Sequence, residues 1–216
     1  TPAEVHRIGL EQVADLTAQL DTILKAQGLT SGSVGARLAQ LNVMPAQLYP
    51  DTDAGRAELI AGLNASNAAM QTRLARAFSN APDAPLDIRR VPPEIQDGAS
   101  NGYYYSAPLD RSRPAIYWIN LKSVGDWPKY SLPSLTYHEG VPGHHLQIST
   151  AQRAPTHPLR KIAFFNAYLE GWALYAQQLA DEFGVYDDFP AGRRGYLQGI
   201  AFRACRLVVD TGLHHK

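Results

Sequence analysis

The sequence predicts a mainly α-helical protein with a small antiparallel β-sheet, an α+β fold. Apolar residues recur at helical spacing through the first eighty residues and again from residue 132 onward. Between them, prolines punctuate a stretch with two short runs rich in aromatic and β-branched residues, which are typical of strands. We therefore interpret the chain as one region: a helical scaffold (1–80), a small sheet with loops (81–131) and helices that carry the candidate site (132–216).

The scaffold is expected to hold three helices. An apolar stripe over residues 5–24 predicts the first, and Gly28 stops it. A short second helix covers residues 34–41, and a third begins at a capping side chain within 51–53 and extends to Phe78. This region concentrates no chemically active side chains, which favours a structural role.

Two strands are predicted at residues 103–105 and 115–121. The polar turn at 110–113 lies between them, so we expect them to pair antiparallel. Residues 86–91 form a further segment between proline breaks. Beyond the sheet, helices are expected on both sides of Pro142-Gly143, over about 157–183, and over about 191–213.

Composition excludes several classes of protein. Twenty basic and twenty acidic residues give a net charge of zero, which argues against a nucleic-acid or anionic-membrane partner. A single cysteine, Cys205, cannot form an internal disulfide, and no apolar run is long enough to span a bilayer. The opening residues are not a signal peptide and the sequence lacks an initiator methionine, so we expect a piece of a longer protein and leave its compartment open.

Three of the seven histidines lie within residues 138–145, beside Glu139. Helical zinc peptidases use His-Glu-x-x-His, where one turn places both imidazoles on one face. Here His138 and His144 are six residues apart, which on an unbroken helix means about 240° of rotation and about 9 Å of rise. His145 faces the same way as His138, but about 10.5 Å along the axis, which is also too far for a shared ion.

The residues between the histidines provide a solution. Pro142 interrupts a helix and Gly143 accepts backbone angles that other residues resist. A break there can fold the extra residues out and restore the usual spacing. We therefore predict His138 and His144 as metal ligands, with His145 on a neighbouring face as a supporting or substrate-facing group, although the choice between His144 and His145 stays open.

A third ligand is needed for a catalytic zinc. Glu170 stands among large apolar residues on a later helix, where burying an acid requires a partner. From the residues alone that partner is either a metal or an arginine.

The last helix carries four charged or ionisable side chains on one face, namely Arg203, Arg206, Asp210 and His214. They form either an internal salt-bridge ladder or a face from which His214 or an arginine reaches the active site. A cation there stabilises the oxyanion formed when water attacks a carbonyl.

Together these motifs resemble the bacterial DUF885 family, whose function is unknown. Its signature His-Glu-Gly-x-Pro-Gly-His-His-Leu-Gln reads here from His138 to Gln147. Glu-Gly-Trp-Ala-Leu-Tyr begins at Glu170, and Arg-Leu-Val-Val-Asp-x-Gly-x-His ends at His214. The resemblance covers essentially the whole chain.

The resemblance implies a gluzincin-like zinc metallopeptidase, distantly similar to helical carboxypeptidases and oligopeptidases. It implies Glu170 as third ligand, because the third ligand of those relatives is a Glu on a later helix. Family members are longer, so this sequence resembles a catalytic region whose partners include a missing N-terminal lobe of the same protein.

Our main hypothesis is a Zn²⁺-dependent hydrolase of peptide or small amide substrates. Glu139 is the general base and His214 the main stabiliser of the tetrahedral intermediate. Further candidates near the substrate or the metal are His145, Tyr103, Tyr104, Arg206 and Asp210. We expect the strand near residues 115–120 to be the edge that an extended peptide joins.

Two alternatives remain at this stage. Two histidines and one carboxylate also describe a non-haem iron oxygenase. A non-catalytic helical binding or structural fragment, in which the histidines form a polar core or an adventitious metal site, is the other.

Overall fold

The computed structural model describes residues 1–215, and within them the chain forms eight α-helices and three strands, a mainly helical α+β architecture as predicted. In chain order these are α1 (Pro2–Ala26), α2 (Val34–Asn42), α3 (Asp53–Gln71), β1 (Leu86–Arg90), β2 (Gly102–Tyr105), β3 (Ala115–Ile119), α4 (Leu132–Glu139), α5 (His144–Arg153), α6 (Pro158–Ile162), α7 (Asn166–Glu182) and α8 (Pro190–His215).

Side-chain caps fix where the scaffold helices begin. Thr1 and Glu4 form a reciprocal capping box at the start of α1, and Thr52 accepts a hydrogen bond from the backbone N–H of Gly55 at the start of α3. Helix α3 ends at Gln71, earlier than predicted. A 3-10 turn follows at Leu74–Arg76. It is held in place by Arg73 and Arg76, which both donate hydrogen bonds to the carbonyl oxygen of Phe183.

Helix α1 packs against α8, so the two ends of the sequence share one core. Gly9 allows this close approach, because a Cβ there would lie 2.9 Å from Cγ2 of Val208. His6 Nδ1 lies 2.8 Å from the Thr211 hydroxyl across the same interface. Leu20 and Leu24 of α1 are fully buried in a cluster that also contains Leu197 of α8.

The sheet is mixed rather than antiparallel. Its strand order is β1-β3-β2; β2 runs antiparallel to β3, as expected, but β1 pairs with β3 in parallel. The prediction of a purely antiparallel sheet was therefore wrong, because the chain visits both outer strands before the most apolar strand, β3, fills the centre. Tyr117 and Ile119 of β3 are completely buried.

The central place of β3 also corrects the expected substrate edge. Both sides of β3 are paired, so no extended peptide can join it, and the strands with an open edge are β1 and β2. A second correction concerns the long helix expected over residues 157–183, which is two helices, α6 and α7, separated at residues 163–165. None of the helices described is long and apolar enough to cross a membrane.

Candidate metal centre

The helix break predicted at Pro142-Gly143 is present, and it separates the two histidines. Helix α4 ends at Glu139 and α5 begins at His144. Gly143 has to be glycine for a steric reason, because a Cβ there would overlap the carbonyl oxygens of His138 and Tyr137. The linking residues 140–143 are therefore pressed against the end of α4, and this brings His144 beside His138.

Side chains from the scaffold and from α7 hold this link in place. The amide oxygen of Asn67 accepts from the N–H of Val141 at 3.1 Å. The indole N–H of Trp172 donates to the carbonyl of Pro142 at 2.8 Å. Two distant helices thus fix the connection between the candidate ligands.

His138, His144 and Glu170 form a cluster whose candidate ligand atoms all lie within 4.8 Å of one another. His138 Nε2 is 3.3 Å from Glu170 Oε2, and His144 Nε2 is 3.5 Å from Glu170 Oε1. Tetrahedral zinc with ligand bonds of 2.0–2.1 Å separates its ligand atoms by about 3.3 Å. The spacing of the two histidines about the carboxylate therefore suits one small divalent ion.

A second layer of polar groups orients the first histidine. His138 Nδ1 lies 3.1 Å from Gln177 Oε1, and the Gln177 amide in turn donates to the Ser134 hydroxyl at 2.6 Å. In its Nδ1–H form, His138 donates a hydrogen bond to Gln177 Oε1, and that form leaves Nε2 available for a metal.

His145 is excluded from the cluster by its own hydrogen bonds. Its Nδ1 contacts the Tyr104 hydroxyl at 3.2 Å and its Nε2 contacts the carbonyl oxygen of Ala84 at 2.8 Å. Both ring nitrogens are therefore occupied. His144 is therefore the second candidate ligand, and His145 lies outside the cluster.

Burial tunes the ionisable groups of the cluster. Desolvation lowers the pKa of His144 to about 4, so its ring is neutral and ready to coordinate at neutral pH. Hydrogen bonding to His138 lowers the pKa of Glu170. Desolvation raises the pKa of Glu139 to about 7, and its Oε2 has no hydrogen-bond partner in residues 1–215.

Glu170 is less buried than its apolar neighbours implied. Its side chain is 63% exposed, because the core face of α7 is formed by residues further along the helix and Glu170 faces the cavity instead. The expectation of a buried acid was wrong, although the predicted position beside the histidines is found.

The cluster opens into a cavity of about 820 Å³ that contains further candidates from the sequence. Glu139, Tyr103 and Tyr104 line it, together with Arg203 of α8. Exposed aromatic side chains, Phe164 and Phe202, flank its mouth. The cavity thus combines a candidate metal-binding set, a buried carboxylic acid and a cation.

The structure does not bring the other predicted residues of α8 to this cavity. Arg206, Asp210 and His214 line a groove between α8 and α1 that Arg203 also lines, and His214 is 69% exposed and 3.7 Å from Asp210. His214 stands eleven residues after Arg203, about 16 Å along the helix. Of the expected "His214 or an arginine", Arg203 is the residue that reaches the cavity.

Sequence reasoning missed Gln177 and Ser134. Gln177 lies seven residues after Glu170, two turns along the same helical face, and that spacing was the available signal. Nothing in the sequence singles out Ser134, whose role depends on how α4 meets α7.

Comparison with known proteins gives a family but no curated function. A family model described as "Bacterial protein of unknown function (DUF885)" matches residues 1–216. A search of curated proteins finds no match.

Solved structures resemble the whole chain. A "putative lipoprotein" from Colwellia psychrerythraea is 46% identical, with a TM-score of 0.96 over 100% of this chain and 37% of that one. A "putative lipoprotein of unknown function" from Shewanella oneidensis is 16% identical, with a TM-score of 0.76 over 99% of this chain and 40% of that one, and shows the shared fold. The sequence thus spans less than half the length of either protein.

Proposed function

This chain belongs to DUF885, a family of bacterial proteins of unknown function, and we propose that its cluster of two histidines and a glutamate makes it a zinc-dependent hydrolase of peptide bonds. The observation that carries the proposal is the convergence of three ligand atoms within 4.8 Å in a cavity that Glu139 and Arg203 also line.

The donor set favours zinc. Two imidazoles and one carboxylate are the protein ligands of many catalytic zinc sites, which leave one position open. The buried second layer at Gln177 presents Nε2 of His138, as metal-bound histidines require. His144, Nε2 of which faces Glu170, completes the set. Soft thiolate ligands are not available here, because the lone Cys205 is exposed and does not line the cavity.

Bound zinc would polarise the substrate carbonyl and lower the pKa of water in the site toward about 7. Glu139 follows directly after His138 and lines the cavity, and its carboxylate accepts the proton of the attacking water. The same carboxyl then delivers this proton to the leaving amine. Because Glu139 is 5% exposed, bulk water does not compete for that proton.

Arg203 is the cation that stabilises developing negative charge in this proposal. It lines the cavity, and Gly199 O accepts from its Nη1 at 3.1 Å, which holds the guanidinium in place. Desolvation lowers the pKa of Arg203, whereas Glu170 and Glu139 raise it. A cation held in position and partly shielded from solvent stabilises an oxyanion more than a fully hydrated one does.

The open edge of β2 supports a peptide substrate. Residues 102–106 line the cavity, and β2 pairs on one side alone within the three-stranded sheet. An extended peptide can add to such an edge through main-chain hydrogen bonds. The scissile carbonyl is thereby presented to the histidines without any need for a specific side chain.

The test compares Glu139→Gln with the unchanged protein. Both are loaded with zinc and incubated with a peptide mixture from a proteolytic digest, and new peptide ends are detected by mass spectrometry. Glu58→Gln, an exposed glutamate of α3, is the matched control. We expect one zinc per chain in all three proteins and cleavage by all except Glu139→Gln.

Two results contradict the proposal: retained cleavage by zinc-loaded Glu139→Gln, or no cleavage by a zinc-loaded unchanged protein. Metal analysis of protein purified without added metal separates the iron alternative. Iron together with an oxygen-dependent activity would favour an oxygenase.

A further inference from the structure

A second cavity lies beside the metal cavity, on the other side of Tyr104. It has a volume of about 330 Å³ and is lined by Arg111, Arg113 and Arg153. Tyr104 lines both cavities, and His145 forms part of the wall of the second one. We call this second space the arginine cavity.

The arginine cavity carries an excess of positive charge. Three guanidinium groups line it, against the single carboxylate of Asp83. Among residues 1–215, none of the three arginines forms a salt bridge with a carboxylate. Their charges are therefore not neutralised by an acid of the chain, and the gathering of three such guanidiniums around one space suits an anionic ligand.

Neutral groups hold two of these guanidiniums in position. Arg113 donates to the carbonyls of Pro114 at 2.8 Å and Ser106 at 2.9 Å, and it lies 4.3 Å from the centre of the Tyr105 ring. Arg153 donates to the carbonyl of Asp83 at 3.0 Å. Carbonyls and an aromatic ring orient an arginine without cancelling its charge, and further N–H groups stay free for a ligand.

The chain itself connects the two cavities. Beyond the end of β2 at Tyr105, the chain runs through Ser106, which lines the metal cavity, to Ala107, which lines the arginine cavity. An extended peptide that follows this edge from Tyr104 to Ala107 covers about 10 Å, or about three residues. One end of a bound peptide can therefore occupy the arginine cavity while a bond a few residues away lies at the histidines.

We infer that the arginine cavity binds the terminal carboxylate of the substrate, so that the protein removes short pieces from the C-terminal end of peptides. This inference rests on the proposed hydrolase function. A planar guanidinium pairs with a carboxylate through two parallel hydrogen bonds, and every unmodified peptide provides one such group at its C-terminus.

The test measures binding, so that it does not depend on catalysis. Isothermal titration calorimetry on Glu139→Gln, with zinc and with a chelator, compares acetyl-Ala-Phe-Ala with the same peptide amidated at its C-terminus. The free acid is expected to bind about tenfold more tightly or better, since charged hydrogen bonds are lost in the amide. Replacing both Arg111 and Arg153 by glutamine should make the affinities for the free acid and the amidated peptide nearly equal.

Arg160→Gln is the matched control, because Arg160 is an exposed arginine on the neighbouring helix α6 that does not line this cavity. It should keep the preference for the free acid. Equal affinities for acid and amide, or a preference that survives the double substitution, overturn the inference. Two further probes identify other anions. If amidated acetyl-Ala-Asp-Ala binds more tightly than the free acid acetyl-Ala-Phe-Ala, the cavity is assigned to an acidic side chain. If inorganic phosphate binds in an arginine-dependent way and acetyl-Ala-Phe-Ala does not displace it, the cavity is assigned to a free anion. Either result rejects the terminal carboxylate, and neither bears on whether the zinc site hydrolyses peptides.

Discussion

The Nδ1 atom of His138 lies 3.1 Å from the amide oxygen of Gln177, which stands on the same helix as Glu170, seven residues further along. Helix α7 therefore provides both a candidate ligand and the group that orients another. Gln177 is 2% exposed and Ser134 fixes its amide, so the arrangement cannot reorganise easily.

Replacing Gln177 with leucine should weaken zinc binding about 10–100-fold, because groups that orient metal-bound histidines have effects of this size. Competition with a chromophoric chelator measures the affinity. Gln178→Leu, at the neighbouring exposed position, is the control and should bind zinc as the unchanged protein does. Equal affinities for the two variants would show that Gln177 does not support a metal ligand.

Gly143→Ala should destabilise the protein and reduce zinc binding. The added methyl group overlaps the carbonyls of His138 and Tyr137, and overpacking of this kind costs about 1–3 kcal/mol or more. Gly35→Ala is the comparison, because a Cβ there meets no atom within 4 Å in helix α2. It should stabilise the protein by about 0.5–1 kcal/mol. Thermal unfolding should show a lower melting temperature for Gly143→Ala and a higher one for Gly35→Ala. A stable, zinc-binding Gly143→Ala protein would contradict the packing argument.

Arg203→Met should lower the turnover of a cleaved peptide about 10²–10³-fold, as the loss of an oxyanion-stabilising group does. Zinc stoichiometry should stay at one, since Arg203 is not in the ligand cluster. Arg206→Met changes another arginine of α8, which lines the groove between α8 and α1 but not the metal cavity, and it should have little effect on turnover. A larger loss in Arg206→Met, or in His214→Ala, would move the stabilising role to the residues first expected from the sequence.

The ion pair between Asp21 and Arg37 should make stability depend on pH. Hydrogen bonds from Lys25 and then Arg37 lower the pKa of Asp21. A lowered folded-state pKa means that the contribution is fully present above the ordinary value of about 4 and is lost as the pH falls through the folded value. Asp21→Asn should therefore lower the melting temperature at pH 7, where buried Arg37 loses its anion, and the difference should narrow at acid pH. Asp15→Asn, at an exposed carboxylate bonded to the neutral Gln19 amide, should show a smaller and less pH-dependent change.

The proximity of His138, His144 and Glu170 was predictable because its signals are local. The six-residue spacing of His138 and His144 means that they can meet only if the helix is interrupted between them, and Pro142 and Gly143 provide that interruption. The structure places the two histidines in one cluster with Glu170. The hydrogen bonds of His145 then remove the ambiguity between adjacent histidines.

Long-range relationships were harder to predict. The parallel pairing of β1 with β3 depends on which strand fills the middle of the sheet, and no local pattern encodes that order. Arg203 and His214 share a helical face, so periodicity cannot separate them. Their positions along α8 separate them, because Arg203 lies beside the metal cavity whereas His214 lies further along, beyond the contact of His6 with Thr211.

The location of bound zinc tests the central claim most directly. Crystals of the protein grown with zinc, measured with X-rays on both sides of the zinc absorption edge, reveal the metal by its anomalous scattering. The account predicts one zinc bonded to Nε2 of His138, Nε2 of His144 and the carboxylate of Glu170. Zinc bound elsewhere on the chain, or no zinc at this cluster when it is present in excess, would contradict it.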